Sequence, residues 1–298
     1  MAAAGFLGLR PILFRKPIAV EFVMVADWTP EQETGVHQAF TERGFRAGGR
    51  PIQPMFTDGR RSSSASQDLI VHRFLEHWSV ESPSSSFPGP RRLELIPQFD
   101  QLGGPAARWA KRQGIRRVFI PGFVGGLSGF AADFRRQAGP EGLDCTTDRS
   151  EPQGRSLLDA FRASKADLVI LTEIDATPMA RQFEQAGFAG RYLIFDPNDD
   201  YSTPLPEGAL VVSCFVPDLM SVTGRKPASP CASSDYPGYL MATLVLDAID
   251  ETSSSDPTEI YRQLASSPEF HPADGRSTLP GGLYVVKNGK PEFQELLK

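Results

Sequence analysis

The fold class is decided by residues 156–196, SLLDAFRASKADLVILTEIDATPMARQFEQAGFAGRYLIFD. Residues 156–164 have the spacing of a helix, and the apolar run DLVIL at 167–171 is typical of a buried strand. A second helix is expected at 178–186, with Thr177 as its cap and Pro178 at its first position. RYLIF at 191–195 is the next strand. Two strands joined by a helix in this way predict a parallel sheet.

The same alternation extends to both sides of this stretch. Thr29 and Gln32 have the spacing of a capping box, so a helix is expected to start at Pro30, directly after a strand. The Ser/Pro-rich residues 79–92 predict a loop or linker. The other predicted strands are 18–26, 52–57, 116–120 and 209–215, and the other predicted helices are 62–75, 104–113, the segment with Phe130 and Phe134, 239–249 and one from Asp256.

The chain is expected to close with an edge hairpin, 282–286 and 291–293, turning at Asn288 and Gly289. With at least four strand–helix alternations, the fold class is α/β, with parallel sheets sandwiched by helices in more than one lobe. Ligands of such sheets bind outside the carboxyl ends of the strands. The loops to consider therefore follow Ala26, Ile120, Leu171 and Phe195.

Composition excludes several function classes. The 298 residues include 31 Lys and Arg against 36 Asp and Glu, so the net charge of −5 argues against a nucleic-acid partner. No apolar run is long enough to span a bilayer, and the first 16 residues are a poor signal peptide because Arg10 and Pro11 break their apolar stretch. An extracytoplasmic and a cytoplasmic location both stay open on this evidence.

Metal and redox chemistry are not expected. The three cysteines, Cys145, Cys214 and Cys231, lack a C-x-x-C spacing, although one disulfide among them stays open. The four histidines are scattered, and His72 and His77 are not at the i, i+4 spacing of a helical metal site. The sequence therefore predicts no metal site and no cofactor.

Four stretches carry a resemblance to a known family: residues 35–58, 96–120, 156–196, and 236–250 with 256–279. They resemble the type I periplasmic binding proteins, in particular the branched-chain amino-acid (Leu/Ile/Val) branch of ABC-importer substrate-binding proteins. The resemblance implies a two-lobed fold, with lobe 1 formed by 17–102 and 217–278 and lobe 2 by 103–216 and 279–298. It also implies binding of an amino acid or similar small polar solute in the inter-lobe cleft, without chemistry, an extracytoplasmic location and an ABC-transporter permease as partner.

The sequence departs from this family in lobe 1. The family has two further strand–helix units before the segment that begins at residue 96, and their loops help to hold the ligand. Residues 79–92, SVESPSSSFPGPRR, stand in their place and do not have the pattern of such units. The first lobe is therefore expected to be abridged, in a protein that is either a divergent binder or one that no longer binds ligand.

The candidate ligand-binding residues lie in the loops at the strand ends. Trp28 is a candidate apolar wall, and Thr29 either contacts ligand or only caps its helix. The glycine-rich loop 122–128 offers bare amides, including that of Gly125, to an anion or carboxylate at a helix start, or it is only a turn. By the resemblance, Phe123 contacts ligand there.

Two acidic residues complete the candidate set. The resemblance implies that Glu173, after the strand DLVIL, pairs with a ligand amine, whereas a solvated acid is the alternative. Asp196 follows RYLIF, in the position of the family's last cleft loop, and is either a ligand contact or an exposed turn residue.

Two other functions stay open. A ligand-sensing or regulatory domain of the same fold fits the weak export signal and the abridged lobe. An α/β enzyme that binds a phosphate or nucleotide at 122–129 is the second, but this loop matches neither G-x-G-x-x-G nor G-x-S-x-G, and no catalytic set of residues stands out.

Overall fold

A computed structural model of the chain describes residues 18–25, 33–58, 69–74, 77–82, 88–121, 127–147, 155–195, 205–214, 216, 219–231 and 235–298. They group into two compact units. Unit 1 contains the described residues up to Leu93, together with Lys226–Ser267 and Pro272–Gly275. Unit 2 contains Glu94–Arg225, Pro268–His271 and Arg276–Lys298.

Strands and helices alternate from Arg92 to Phe195, whereas the described elements between Arg46 and Glu94 are all strands. The strands are β1 (Ile18–Val25), β2 (Arg46–Ala47), β3 (Arg50–Asp58), β4 (Leu69–Phe74), β5 (His77–Glu81), β6 (Arg92–Glu94), β7 (Arg117–Ile120), β8 (Asp144–Thr147), β9 (Leu168–Thr172), β10 (Arg191–Phe195), β11 (Leu210–Ser213), β12 (Gly281–Lys287) and β13 (Lys290–Leu297). The helices are α1 (Thr34–Glu42), α2 (Phe99–Arg112), α3 (Leu127–Ala138), α4 (Arg155–Ser164), α5 (Glu173–Gln185), α6 (Leu219–Thr223), α7 (Tyr236–Thr252) and α8 (Pro257–Ala265).

Unit 1 is built on a sheet with the strand order β2-β3-β1-β4-β5-β6. Its central strand, β1, pairs in parallel with β3 and β4, which places Phe22 opposite both Phe56 and Val71. The fully buried Phe22 ring stacks on Phe56 with centroids 5.5 Å apart and meets the edge of Phe40 at 6.0 Å. These contacts hold α1, which carries Phe40, against one face of the sheet.

The Glu42 carboxylate fastens α1 to the rest of unit 1. It accepts hydrogen bonds from the hydroxyl of Tyr239 on α7 at 2.8 Å and from the backbone N–H of Ala228 at 2.8 Å. Burial raises the pKa of Glu42, but the hydrogen bonds outweigh that effect, so the pKa lies below its ordinary value. The ionised carboxylate is therefore the form that ties α1, α7 and the segment before α7 together.

The helix predicted at residues 62–75 is wrong where the structure describes it, because Leu69–Phe74 is the strand β4. The apolar stripe of this segment fits a helix as well as a strand, and the β-branched pair Ile70 and Val71 favours the strand. Parallel pairing with β1 then supplies the backbone hydrogen bonds of β4.

The loop predicted at residues 79–92 is also wrong in part. His77–Glu81 forms β5, which pairs antiparallel with β4 and places Val80 opposite Val71, both fully buried. Two apolar residues facing each other on one side of a hairpin outweigh the polar composition around them. Residues 83–87, the centre of the Ser/Pro-rich piece, lie outside the described residues.

Unit 2 is built on a sheet with the order β13-β12-β11-β10-β9-β7-β8. The strands from β11 to β8 are parallel, and the hairpin β12–β13 joins them antiparallel. On one face, Phe119 and Val169 of the strands pack with Phe161 of α4 and Phe183 of α5 in one buried cluster. The rings of Phe161 and Phe183 lie 4.6 Å apart, which joins the two helices over the sheet.

The opposite face of this sheet is covered by α3, because Phe130 stacks on Phe195 of β10 with centroids 4.7 Å apart. Helix α2 packs on α3 at very close range at Gly103. A Cβ atom at this position would lie 2.3 Å from the backbone nitrogen of Phe134 and 2.4 Å from the carbonyl oxygen of Phe130. Only glycine therefore permits this helix–helix distance.

The start of α5 differs from the prediction. The helix begins at Glu173, directly after β9, so Pro178 lies inside it and Thr177 is not its cap. Proline lacks an N–H, so α5 loses the hydrogen bond that residue 178 would otherwise donate to the carbonyl of residue 174. The polar run between the strand and Pro178 is thus the first turn of the helix.

The C-terminal predictions are confirmed. Helix α7 covers the apolar segment at 239–249, and the carboxylate of Asp256 accepts the N–H of Thr258 at 2.8 Å as the cap of α8. The hairpin β12–β13 turns at Asn288 and Gly289, with φ angles of 53° and 73°. Both are in the left-handed region, as an Asn-Gly turn between antiparallel strands requires. Strand β8, by contrast, was not predicted.

The contact at Gly103 predicts the effect of a single methyl group. Gly103→Ala should lower the free energy of unfolding of unit 2 by roughly 2 kcal/mol or more, because α2 and α3 must move apart. Urea unfolding followed by circular dichroism measures it. Gly139→Ala is the control, since a Cβ there meets nothing within 4 Å. Equal stability of the two variants would contradict the prediction.

Candidate functional site

The carboxyl ends of β7 and β9 form the topological switch point of unit 2. The chain leaves β7 for β8 on one side and later returns to β9 on the other side of β7. In α/β proteins, ligands bind in the crevice that opens at such a switch point, outside the carboxyl ends of the strands. Unit 1 repeats the arrangement, because β3 and β4 flank β1.

The predicted unit 2 residues are attached to this edge. Glu173 is the first residue of α5, immediately after Thr172, the last residue of β9. Thr172 pairs directly with Phe195 of β10, so Glu173 and Asp196 follow two facing strand residues. The structure thus places Thr172 and Phe195, the residues that precede these two acids, in facing positions about 5 Å apart.

Most of the predicted side chains lie outside the described residues. This holds for Phe123 and Gly125, which follow β7, for Asp196, and for Trp28 and Thr29, which follow β1. The side chain of Glu173 is also outside the described part, although its backbone is within it. The roles of these residues stay predictions, and the described α1 begins at Thr34.

Sequence reasoning missed Asp167, which holds the strands of the switch point together at their amino ends. Its carboxylate accepts the backbone N–H groups of Arg116 at 3.2 Å and Arg117 at 3.0 Å, and the Arg117 guanidinium at 3.0 Å. Its own backbone bonds to Arg117 on one side and to Arg191 on the other. Asp167 therefore joins β7, β9 and β10 at their amino ends. An acidic residue directly before a buried strand was the only signal.

The hydrogen bonds to Asp167 also shift its pKa. Burial raises the pKa of this carboxyl, but the side-chain and backbone N–H groups of Arg117, with the N–H of Arg116, outweigh it. The pKa therefore lies below the ordinary value of 3.8. The ionised form is the one that holds the three strands in register.

Helix α5, which begins at the candidate residue Glu173, packs firmly on the sheet. Ala176 and Ala180 are buried against the sheet, and the ring of Phe183 meets Phe119 of β7 edge-on at 5.9 Å. The hydroxyl of Tyr192 on β10 donates to the carbonyl of Ala180 at 3.0 Å. These buried contacts therefore hold the backbone of α5, including its first residue Glu173, in a fixed position on the sheet.

The three cysteines all lie in the described part of the chain, and none of them forms a disulfide there. Cys214 is buried, and burial raises the pKa of Cys145 and of Cys231 to about 11. Thiols with such a pKa are poor nucleophiles at neutral pH. Within the described ranges, no group of three or more His, Cys, Asp or Glu side chains has a metal-binding arrangement. No helix in the same ranges is long and apolar enough to cross a membrane.

No protein-family model and no curated protein sequence matches the chain. Solved structures do. An ABC transporter substrate-binding protein from Desulfitobacterium hafniense in complex with Leu has a TM-score of 0.64 at 16% identity, covering 94% of this chain and 100% of its own. A putative branched-chain amino acid ABC transporter protein from Rhodospirillum rubrum has the same values. A solute-binding protein of an ABC transporter from R. palustris, in complex with benzoate, has a TM-score of 0.57 at 12% identity, covering 95% and 96%.

Identities this low show the fold. The chain has the α/β type I periplasmic-binding-protein fold of these substrate-binding proteins, over nearly its whole length. The fold class that the sequence predicts is therefore confirmed, and the predicted resemblance is confirmed at the level of the fold.

The Asp167 contacts predict a pH-dependent contribution to stability. Because its pKa is lowered in the folded state, the contribution is fully present above about pH 3.8 and is lost as the pH falls through the lowered value. Asp167→Asn should therefore be less stable than the wild type at pH 7, and the difference should shrink below pH 3.8. Urea unfolding at a series of pH values tests this.

Asp159→Asn is the matched control, because Asp159 forms only an exposed pair with Arg162 on α4. Its stability should equal that of the wild type at every pH. A stability difference for Asp167→Asn that stays constant from pH 7 to pH 3 would show that ionisation of this carboxyl is not the cause.

Proposed function

We propose that this protein is the solute-binding protein of an ABC importer and that it binds an amino acid or similar small polar solute without chemical change. The observation that carries the proposal is the type I fold, in which the backbone of the predicted ligand residue Glu173 begins α5 directly after β9, at the switch point of unit 2. Phe123, Gly125 and Asp196, which follow β7 and β10 in the sequence, are proposed as further ligand contacts. The two compact units are the proposed lobes. Trp28 and Thr29, after β1, are proposed as contacts on the family resemblance.

The chemistry of these residue types suits a zwitterion. The connection between Pro121 and α3 carries glycines and leads into a helix start, where backbone amides favour a carboxylate. Glu173 begins the helix after the neighbouring strand and would supply a carboxylate for an ammonium group. Opposite charges offered from adjacent strands match the two ends of an amino acid.

Two of the similar structures hold different solutes, Leu and benzoate. Both solutes have a carboxylate and an apolar body, but only Leu has an ammonium group. Glu173 therefore favours the amino-acid class for this chain. Benzoate has no cation to pair with the Glu173 carboxylate, and burying that carboxylate unpaired would be costly.

The remaining parts of the proposal rest on the family. A permease of the importer is the proposed partner, and the proposed location is periplasmic or extracytoplasmic. The protein is proposed to act by binding alone and not as an enzyme. This part rests on its fold, which is similar to that of substrate-binding proteins.

Titration calorimetry tests the proposal with L-leucine, other amino acids, small amides and benzoate. At least one amino acid should bind and raise the melting temperature, and Glu173→Gln should weaken its binding at least about 10-fold, through loss of a charge-assisted hydrogen bond. Glu184→Gln is the control, because it makes the same change at the exposed far end of α5. Failure of every solute to bind would overturn the proposal, and equal binding by both variants would remove Glu173 from the site.

A further inference from the structure

Unit 2 contains a second concave site that the proposed function does not use. It is a pocket of 590 Å³, and all its lining residues belong to unit 2. This volume suits a small organic molecule. The pocket lies beside Gly281, the first residue of β12, and Leu297, which pairs with it at the end of β13. Strand β12 is three strands from β9, or about 14 Å, so the pocket is separate from the switch point.

Aliphatic side chains from three parts of the chain line the pocket. Leu102 belongs to α2 and Val222 to α6, whereas Leu279 and Leu297 come from the C-terminal part of unit 2. Because they approach from different elements, they can contact one molecule on several sides. A molecule that enters therefore removes apolar surface from water, which favours its binding.

Proline rings supply as much of the wall as these aliphatic side chains. A proline ring is apolar and nearly fixed in conformation, so it loses almost no side-chain freedom when a ligand packs on it. The prolines that line the pocket are Pro97, Pro105, Pro268 and Pro280. The apolar part of the wall is thus partly preorganised.

Two polar side chains of the wall, Gln101 and Ser277, are already hydrogen-bonded to the protein. The Gln101 amide donates to the carbonyl of Ser277 at 3.1 Å, and its oxygen accepts the N–H of Gln98 at 2.8 Å. The hydroxyl of Ser277 donates to the carbonyl of Leu95 at 2.6 Å and accepts the N–H of Leu279 at 3.1 Å. These groups therefore do not depend on a ligand for their hydrogen bonds.

The two threonines of the wall are bonded in the same way. The hydroxyl of Thr223 donates to the carbonyl of Leu219 at 3.1 Å, one turn earlier. The hydroxyl of Thr278 donates to the carbonyl of Pro268 at 2.6 Å. Each of these donors has its partner within unit 2, so a polar ligand would have to displace an existing bond to use it.

The two charges of the wall have opposite signs, and each is already stabilised. Glu269 is 6% exposed, and its carboxylate forms an ion pair with Arg225, with 3.2 Å between Oε1 and Nε. Lys298 is exposed, so water solvates its ammonium group. A charged ligand would therefore give up its own hydration without gaining a dedicated partner, which is costly.

We infer that this pocket binds a small uncharged apolar molecule, held by contact with Leu102, Val222, Leu279 and the proline rings. Apolar surface is what the wall offers to a ligand, because its polar side chains are bonded to one another or to the backbone. The inference does not depend on the proposed function, since none of the lining residues is among the proposed solute contacts.

Three probes with the same phenyl ring separate charge from shape: toluene, benzylammonium chloride and sodium phenylacetate. Each is titrated into the full chain while methyl NMR signals of Leu102, Val222 and Leu297 are followed. Toluene should shift these signals to saturation and bind at least about 10-fold more tightly than either ion, because each ion must be desolvated. No shift with toluene, or binding of either ion as tight as that of toluene, would overturn the inference.

A bulky substitution locates the site. Val222→Trp fills part of the pocket and should weaken toluene binding at least about 10-fold. Ser221→Trp is the control, because Ser221 is exposed on the same helix α6 and does not line the pocket, so toluene binding should be unchanged. Equal weakening in both variants, or in neither, would place the toluene elsewhere and contradict the assignment.

A new charge in the wall tests why the pocket selects an uncharged ligand. Leu279→Glu adds a carboxylate that has no partner in the wall, so it should weaken toluene binding and tighten benzylammonium binding, each at least about 10-fold. Leu279→Gln is the matched control, and it should not tighten benzylammonium binding. If Leu279→Glu leaves the order of the three probes unchanged, the charge of the wall does not control selection and the inference fails.

Discussion

The parallel pairing of β7, β9 and β10 is the constraint on which unit 2 depends. Their central residues are buried on both faces, under α4 and α5 on one side and α3 on the other. At their amino ends, Asp167 joins all three strands through backbone and side-chain hydrogen bonds. A shift of one residue in this register would move each strand's side chains to the wrong face. The start of α5 at Glu173, at the opposite end of β9, follows from it.

The sequence predicted the fold because its apolar runs indicate the kind of element that they form. The short run DLVIL indicates a buried strand, and the longer run YLMATLVLDAI indicates a buried helix. It failed where local pattern was ambiguous: Leu69–Phe74 fits a helix stripe, yet pairing with β1 makes it a strand. Pro178 indicated a helix start, yet α5 accepts it as an internal residue. Of the candidate site, the sequence could assign Glu173 to the end of a strand, where its backbone lies, but its role as a ligand contact stays a prediction. The contacts of Asp167 depend on long-range pairing, which no local pattern encodes.

Strand β13 forms the rim of the seven-stranded sheet, with only β12 as its neighbour. An exposed rim can attract another chain through its free backbone groups, but Pro291 removes one N–H from this strand. The strand also carries charged side chains, including Glu292 and Glu295, and charged residues on an edge strand disfavour pairing with another chain. The C-terminal hairpin therefore ends the sheet and resists edge-to-edge aggregation at high protein concentration.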